Sequence, residues 1–134
     1  MCGRFGLGEE TATIAAVIDA AVTPACADWR PRQEIFPSES SLVAIADGRG
    51  RRLGSMRWGW RRSFSSGLLI NATVEGLWCN ARGRPALWRE ALRRHRCLVP
   101  ATQWFEWCGR GKAKQRHRLA AVGGELLCFA GLWE

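Results

Sequence analysis

The residue best placed to act as a nucleophile in this sequence is Cys2. Once the initiator Met1 is removed, Cys2 carries a free α-amine and a thiol on adjacent carbons. Such a 1,2-aminothiol condenses with an aldehyde in two steps: the amine forms an imine, and the thiol closes on it to give a five-membered thiazolidine ring. An internal Cys cannot do this, because its nitrogen is an amide. The α-amine has a pKa of about 7.7–8.0, against about 10.4 for Lys, so far more of it is unprotonated near neutral pH. The thiol, with a pKa of about 8.5, is partly thiolate there. A small residue after Met1 is also common in proteins without such chemistry, so Cys2 alone decides nothing.

Charge and aromatic content supply a second set of candidates. The net charge is +8, from 20 Lys and Arg against 12 acids, and nearly all the positive charge is Arg. Arg offers planar, bidentate phosphate recognition, so a polyanionic partner, most often nucleic acid, is favoured over a merely basic protein. Arg89, Arg93 and Arg96 recur at helical spacing, with Arg82 and Arg84 ahead of them. Such a run is either a solvated face or a phosphate-facing surface, with Arg82, Arg89 and Arg93 as the ligands. Eight Trp is a high count; most must be core, but a few near Arg are candidates to stack on unpaired bases, Trp58 and Trp104 among them. Glu106 stands in Trp104-Phe105-Glu106-Trp107, a carboxylate enclosed by aromatics.

Other classes fall away. At 134 residues, 47% hydrophobic and 24% charged, the chain is one globular domain. It has no apolar run near 18 residues and no secretory pattern at its start, so a cytoplasmic, nucleoid-associated location with no membrane contact is expected. The six cysteines are scattered without a C-x-x-C pair, which argues against a zinc site and against a disulfide framework. Cys97 and Cys128 lie in apolar stretches and read as small core residues.

These side chains need elements to hold them. Glu9 to Ala21 is expected to be a helix, with Ile14, Val17, Ile18 and Ala21 on its apolar stripe. Leu42 to Ala46 and a return strand up to Trp60 flank the turn Asp47-Gly48-Arg49-Gly50. Leu68 to Val74 reads as a buried strand, and Pro85 opens a helix to about Arg94. Cys97 to Pro100 is a short strand. Arg118 to Val122 and Glu125 to Trp133 form a final hairpin around Gly123-Gly124. The sum is an α+β fold with a curled, partly barrel-like antiparallel sheet and flanking helices.

Several motifs occur in one order: Met1-Cys2-Gly3-Arg4-Phe5, Glu34-Ile35-Phe36-Pro37, Trp58-Gly59-Trp60, Leu69-Ile70-Asn71-Ala72, Arg96-Cys97-Leu98-Val99-Pro100, Trp104-Phe105-Glu106-Trp107 and Ala130-Gly131-Leu132-Trp133-Glu134. Together they resemble the SOS-response-associated peptidase (SRAP) family over the whole chain. That resemblance implies a sensor of abasic sites in single-stranded DNA. The mature N-terminal Cys would form a thiazolidine with the ring-opened sugar, shielding the lesion from strand cleavage, and "peptidase" would refer to proposed self-removal of Met1. It also implies a mixed α+β domain with a basic groove, acting as a monomer without cofactor or metal. Cys2 matches the nucleophile, Glu106 the active-site carboxylate, and Arg4 belongs to the opening motif, in support of DNA or the terminus. A carboxylate near the amine can hold it and shuttle protons, and aromatic enclosure is expected to raise the pKa of Glu106 by desolvation. A half-buried Glu could equally pair with an Arg. The alternatives to covalent capture are a non-covalent single-stranded DNA-binding module and an inactive, shortened family member.

This chain departs from the family pattern in two places. The N-A-R-x-E motif is split: Asn71-Ala72-Thr73-Val74-Glu75 has the right distance from Trp58-Gly59-Trp60 but Thr73 in place of Arg, while Asn80-Ala81-Arg82 has the tripeptide without the Glu. Asn71 is favoured as the strand-end amide and Arg82 as a replacement phosphate ligand. The family continues with further strands and a His in an H-D-R-M-P-like motif, whereas His95 and His117 lie in other contexts. The last strands of the sheet are therefore expected to be missing.

Overall fold

The computed structural model describes residues 2–61, 67–78 and 88–134. Among them nine strands form two sheets. The first has the order β3-β1-β7-β8 and the second the order β2-β5-β4-β6-β9. The strands are β1 (Phe5–Leu7), β2 (Ala21–Val22), β3 (Arg32–Ile35), β4 (Ser40–Asp47), β5 (Gly50–Arg57), β6 (Arg96–Ala101), β7 (Gln103–Cys108), β8 (Gln115–Leu119) and β9 (Leu127–Leu132). The helices are α1 (Thr11–Ile18), α2 (Val74–Trp78) and α3 (Arg89–Arg94). All pairings are antiparallel except β2 with β5. The fold is thus mixed α+β, and neither sheet closes into a barrel.

The sheets are joined at a corner. Thr102 is the single residue between β6 in one sheet and β7 in the other. Its N–H donates to the Gly6 carbonyl at 2.9 Å, and its Oγ1 accepts the Gly8 N–H at 3.0 Å, so β1 is tied to the bend. Gly6 has to be glycine there, because a Cβ would collide with the Gln33 carbonyl oxygen of β3. Phe5, Leu7, Ile14, Ile35, Leu42, Leu53 and Ala101 are buried together as the core. The first strand, which carries Cys2 and Arg4 just ahead of it, is therefore anchored on both edges and on its core face.

The α+β class and the β4–β5 hairpin are as expected, whereas the Leu68–Val74 strand and the C-terminal hairpin are not. The β4–β5 hairpin forms around the expected turn, with Asp47 paired to Gly50 and accepting the Arg49 N–H at 2.8 Å. Helix α1 stops at Ile18 rather than Ala21, because Asp19 turns left-handed at φ +54° and the chain leaves to pair β2 with β5. Ile14 and Ile18 are buried, but Val17 is 63% exposed. The strand expected over Leu68 to Val74 shrinks to one bridge, Leu69 to Trp60, since Asn71 is left-handed at φ +56° and α2 begins at Val74. The C-terminal hairpin does not form: a turn is present at Ala121–Gly124, but β8 pairs with β7 and β9 with β6. Cys97 is buried as expected, whereas Cys128 is exposed, because Leu127 and Phe129 take the core-facing positions of β9. Cys2, Cys26, Cys97, Cys108 and Cys128 are free thiols. Arg82, the Asn80-Ala81-Arg82 tripeptide and Pro85 lie outside the described residues.

Candidate active site around Cys2

Cys2 enters the fold just ahead of β1, half-buried, with its thiol donating to the Arg4 carbonyl at 2.8 Å. Its own carbonyl accepts a hydrogen bond from Asn71 Nδ2 at 2.6 Å. The left-handed turn at Asn71 is what aims that amide back at the N-terminal residue. Cys2 is thus held at its carbonyl by an element almost seventy positions away and at its thiol by the Arg4 carbonyl.

A cavity of about 760 Å³ lies against Cys2. Cys2, Trp58 and Asn71 line it together with Phe5, Trp88 and Phe129. Trp58 packs on Phe5 with ring centroids 5.1 Å apart, and Trp60 on Trp88 at 4.5 Å. Cys97 also lines the cavity, but burial pushes its thiol up to about 11, so it stays protonated where Cys2 chemistry would run. Helix α3 contributes Trp88, just ahead of it, and Ala91 to the wall, and holds Arg89 and Arg93 exposed one turn apart.

Arg4 and Glu106 sit on opposite faces of the first sheet. The register pairs Phe5 with Trp104, and the Phe105 N–H donates to the Arg4 carbonyl at 3.0 Å. Side chains alternate along a strand, so Trp104 and Glu106 share the Phe5 face while Phe105 and Trp107 share the Arg4 face. The expected enclosure of Glu106 by three aromatics is therefore corrected: only Trp104 lies on its side, and Trp104 packs edge-on to Phe129, centroids 6.2 Å apart. Glu106 is half-buried on β7, the strand paired with β1, and is not among the residues that line the cavity with Cys2.

On the other face Arg4 is held through one end of its guanidinium, while its buried Nε has no hydrogen-bond partner among the described residues. Its Nη1 pairs with Glu34 Oε2 at 2.9 Å, and its guanidinium lies over Phe36 at 4.3 Å and Trp107 at 5.4 Å. Glu34 Oε1 also accepts from Arg116 Nη1 at 2.9 Å, and Arg116 covers Phe105 at 4.9 Å. One carboxylate thus clamps two guanidiniums, and through Arg4 it braces the carbonyl that receives the Cys2 thiol.

Sequence reasoning missed Glu34, Arg116 and His117. Glu34 was visible only as part of a motif. His117 faces Glu106 directly across the β7–β8 ladder. Counting back across the turn at Gly109–Lys114 with a period of two would have found both β8 residues. Among the described residues no group of three or more His, Cys, Asp or Glu could hold a metal ion, and no helix is long and apolar enough to cross a membrane.

A two-sheet α+β domain that sets Cys2 against an aromatic cavity, with a carboxylate on a strand of the neighbouring ladder, is one architectural class. The sequence matches the model of the SOS response associated peptidase (SRAP) family over residues 1–134, and the chain belongs to that family. It is similar to the abasic site processing protein YoqW of Bacillus subtilis (strain 168), 33% identical over 140 residues, covering 100% of this chain and 60% of that protein. The fold is similar to a phage-related protein from Bordetella bronchiseptica, with a TM-score of 0.74 and 26% identity over 98% of this chain and 60% of that one. A protein from Bacteroides thetaiotaomicron shares the fold at a TM-score of 0.77 and 15% identity, covering 98% and 59%. The chain thus spans about 60% of the length of the curated relatives it matches.

Proposed function

We propose that this chain captures abasic sites in single-stranded DNA covalently, through a thiazolidine formed by Cys2 after Met1 is removed. The observation that carries the reading is the placement of Cys2, half-buried at a cavity wall with its carbonyl held by Asn71 at 2.6 Å. A nucleophile fixed in this way needs little reorganisation to meet an aldehyde. The abasic-site name of the 33% identical relatives supports the same substrate class. The α-amine adds to C1 of the ring-opened sugar, the carbinolamine loses water, and the thiol adds to the imine carbon. Glu106, on the strand paired with β1, is assigned the proton transfers, worth about a hundred- to ten-thousand-fold when a group is well positioned. Arg89 and Arg93 track the phosphates from the helix that walls the cavity. Trp58 and Trp104 back the site as aromatic supports for the unpaired strand.

The test is an incubation of Met-processed protein with a single strand bearing a preformed abasic site, followed by heating in denaturant. A heat-stable crosslink is expected. Cys2→Ser should give only a reversible imine, trapped by borohydride but lost on heating. A heat-stable adduct in Cys2→Ser would sink the mechanism. The second reading, non-covalent single-strand binding, rests on the exposed Arg89 and Arg93 and would show as salt-sensitive retention with no adduct.

A further inference from the structure

We infer that the cavity beside Cys2 also admits free aryl aldehydes bearing a polar ring substituent, so that the same aminothiol captures small aldehydes as well as the sugar of a DNA strand. The inference rests on the reading of Cys2 as a free N-terminal aminothiol. Two observations carry it beyond that reading. The first is size and lining: about 760 Å³ falls within the roughly 300–1,000 Å³ of pockets that hold small organic ligands. Its wall is built from Trp58, Trp88 and Phe129 as well as Val43, Met56 and Leu132, surfaces that favour a flat apolar ring.

The second observation is Ser41. It lines the same cavity, is 2% exposed, and its Oγ has no hydrogen-bond partner among the described residues. A buried hydroxyl left unpaired is destabilising unless a donor or acceptor beside it completes its hydrogen bond. A ring substituent that donates or accepts would meet that hydroxyl, while the aldehyde at the other end of the ligand meets Cys2.

The step balances without a co-reactant. The α-amine of Cys2 adds to the aldehyde carbon, and the carbinolamine expels the carbonyl oxygen as water to give an imine. The thiol then adds across the C=N bond, its proton passing to nitrogen. One C–N bond and one C–S bond form, and nothing is oxidised or reduced.

The experiment compares Met-processed protein with a synthetic peptide of residues 2–5, each exposed to 4-hydroxybenzaldehyde or to glyceraldehyde. Adducts are followed by intact mass, and the peptide corrects for intrinsic aldehyde reactivity. The protein-to-peptide rate ratio is expected to be about tenfold higher for the aryl aldehyde than for glyceraldehyde. Ala72→Trp, which fills the cavity from an exposed lining position, should abolish that preference while glyceraldehyde still reacts. Ser41→Ala should reduce it severalfold. Equal ratios for the two aldehydes overturn the inference. Crosslinking to abasic single strands, run in parallel, separates the two failures: a normal crosslink with equal ratios removes only the aryl site. No adduct with any aldehyde removes the aminothiol and both readings with it.

Discussion

Asn71 holds φ +56°, a left-handed conformation that is unfavourable by about 1–2 kcal/mol for an ordinary L-residue and that Asn tolerates better than most. In return its side-chain amide reaches the Cys2 carbonyl at 2.6 Å. The two contributions can be separated. Asn71→Ala removes the hydrogen bond and raises the backbone strain, and is expected to lower stability by about 1–2 kcal/mol. Asn71→Gly relieves the strain but still leaves the Cys2 carbonyl unheld. Single-turnover crosslinking to an abasic strand should therefore slow by about tenfold or more in both variants, while the melting temperature falls mainly in Asn71→Ala. Crosslinking that tracks melting temperature instead would make Asn71 a purely structural residue. Cys97 shows the complementary case at the same cavity: its thiol, pushed up to about 11 by burial, is chemically silent near neutral pH.

The connection between β3 and β4 does for Trp58 what Asn71 does for Cys2. Ser38 sits at φ +78°, its N–H donates to the Trp58 carbonyl at 2.7 Å, and the Trp58 N–H donates to the Glu39 carbonyl at 2.8 Å. The Glu39 side chain closes this turn by accepting the Phe36 N–H at 2.8 Å and pairing with Arg32 at 2.6 Å. The Phe36 N–H above all holds the Glu39 carboxyl below its usual 4.5; burial opposes it, and the Arg32 guanidinium adds to the lowering. A carboxylate whose pKa is lower folded than unfolded stabilises the fold above the unfolded value. That contribution disappears as pH falls through the folded value. Glu39→Gln should therefore be less stable than the parent above about pH 4.5, with the gap closing as the medium is acidified further. Urea unfolding of both proteins across that range is the measurement, and two parallel stability curves would refute the linkage. The turn positions a cavity wall, so the variant should also lose part of the Trp58 packing on Phe5.

On the scale of the whole molecule, the two sheets divide the labour. Arg4, Glu34, Phe36, Trp107 and Arg116 lock one face of the first sheet into an interleaved cation–aromatic layer. The Phe5 face carries Trp104 and Glu106 and meets the cavity through Phe129. With a net charge of +8, association with a nucleic acid strand should be strongly salt-dependent. Arg94 is tied to Glu90 on the exposed side of α3, at 2.9 Å. Arg89 and Arg93 are the exposed cations of that helix placed one turn apart. Affinity for undamaged single strands should fall by about 0.7 log unit per log of salt for each phosphate neutralised. Arg89→Ala with Arg93→Ala should flatten that slope by about one to two phosphate equivalents, read from fluorescence anisotropy over a salt series. An unchanged slope would return these residues to an ordinary solvated face.

What the amino-acid sequence by itself determined is what depends on neighbours along the chain. The cysteine at position 2 is a property of one residue, and the hairpin around Asp47 to Gly50 is closed by a four-residue turn. The Ile14 and Ile18 stripe follows from helical spacing, and the excess of Arg is simple composition. The motif order was also enough to place the chain in its family. Only the tertiary structure decided which strand each strand would pair with. A turn at Ala121–Gly124 invites a hairpin, yet β6 and β7 are parted by the Thr102 corner, and each offers a free edge in a different sheet, so β8 and β9 separate. The same non-local choice left Val17 and Cys128 outside, ended the expected strand at Asn71, and turned Phe105 and Trp107 away from Glu106. Backbone donors and acceptors in a sheet are satisfied by distant segments. The face a side chain takes therefore depends on a register that no local spacing encodes.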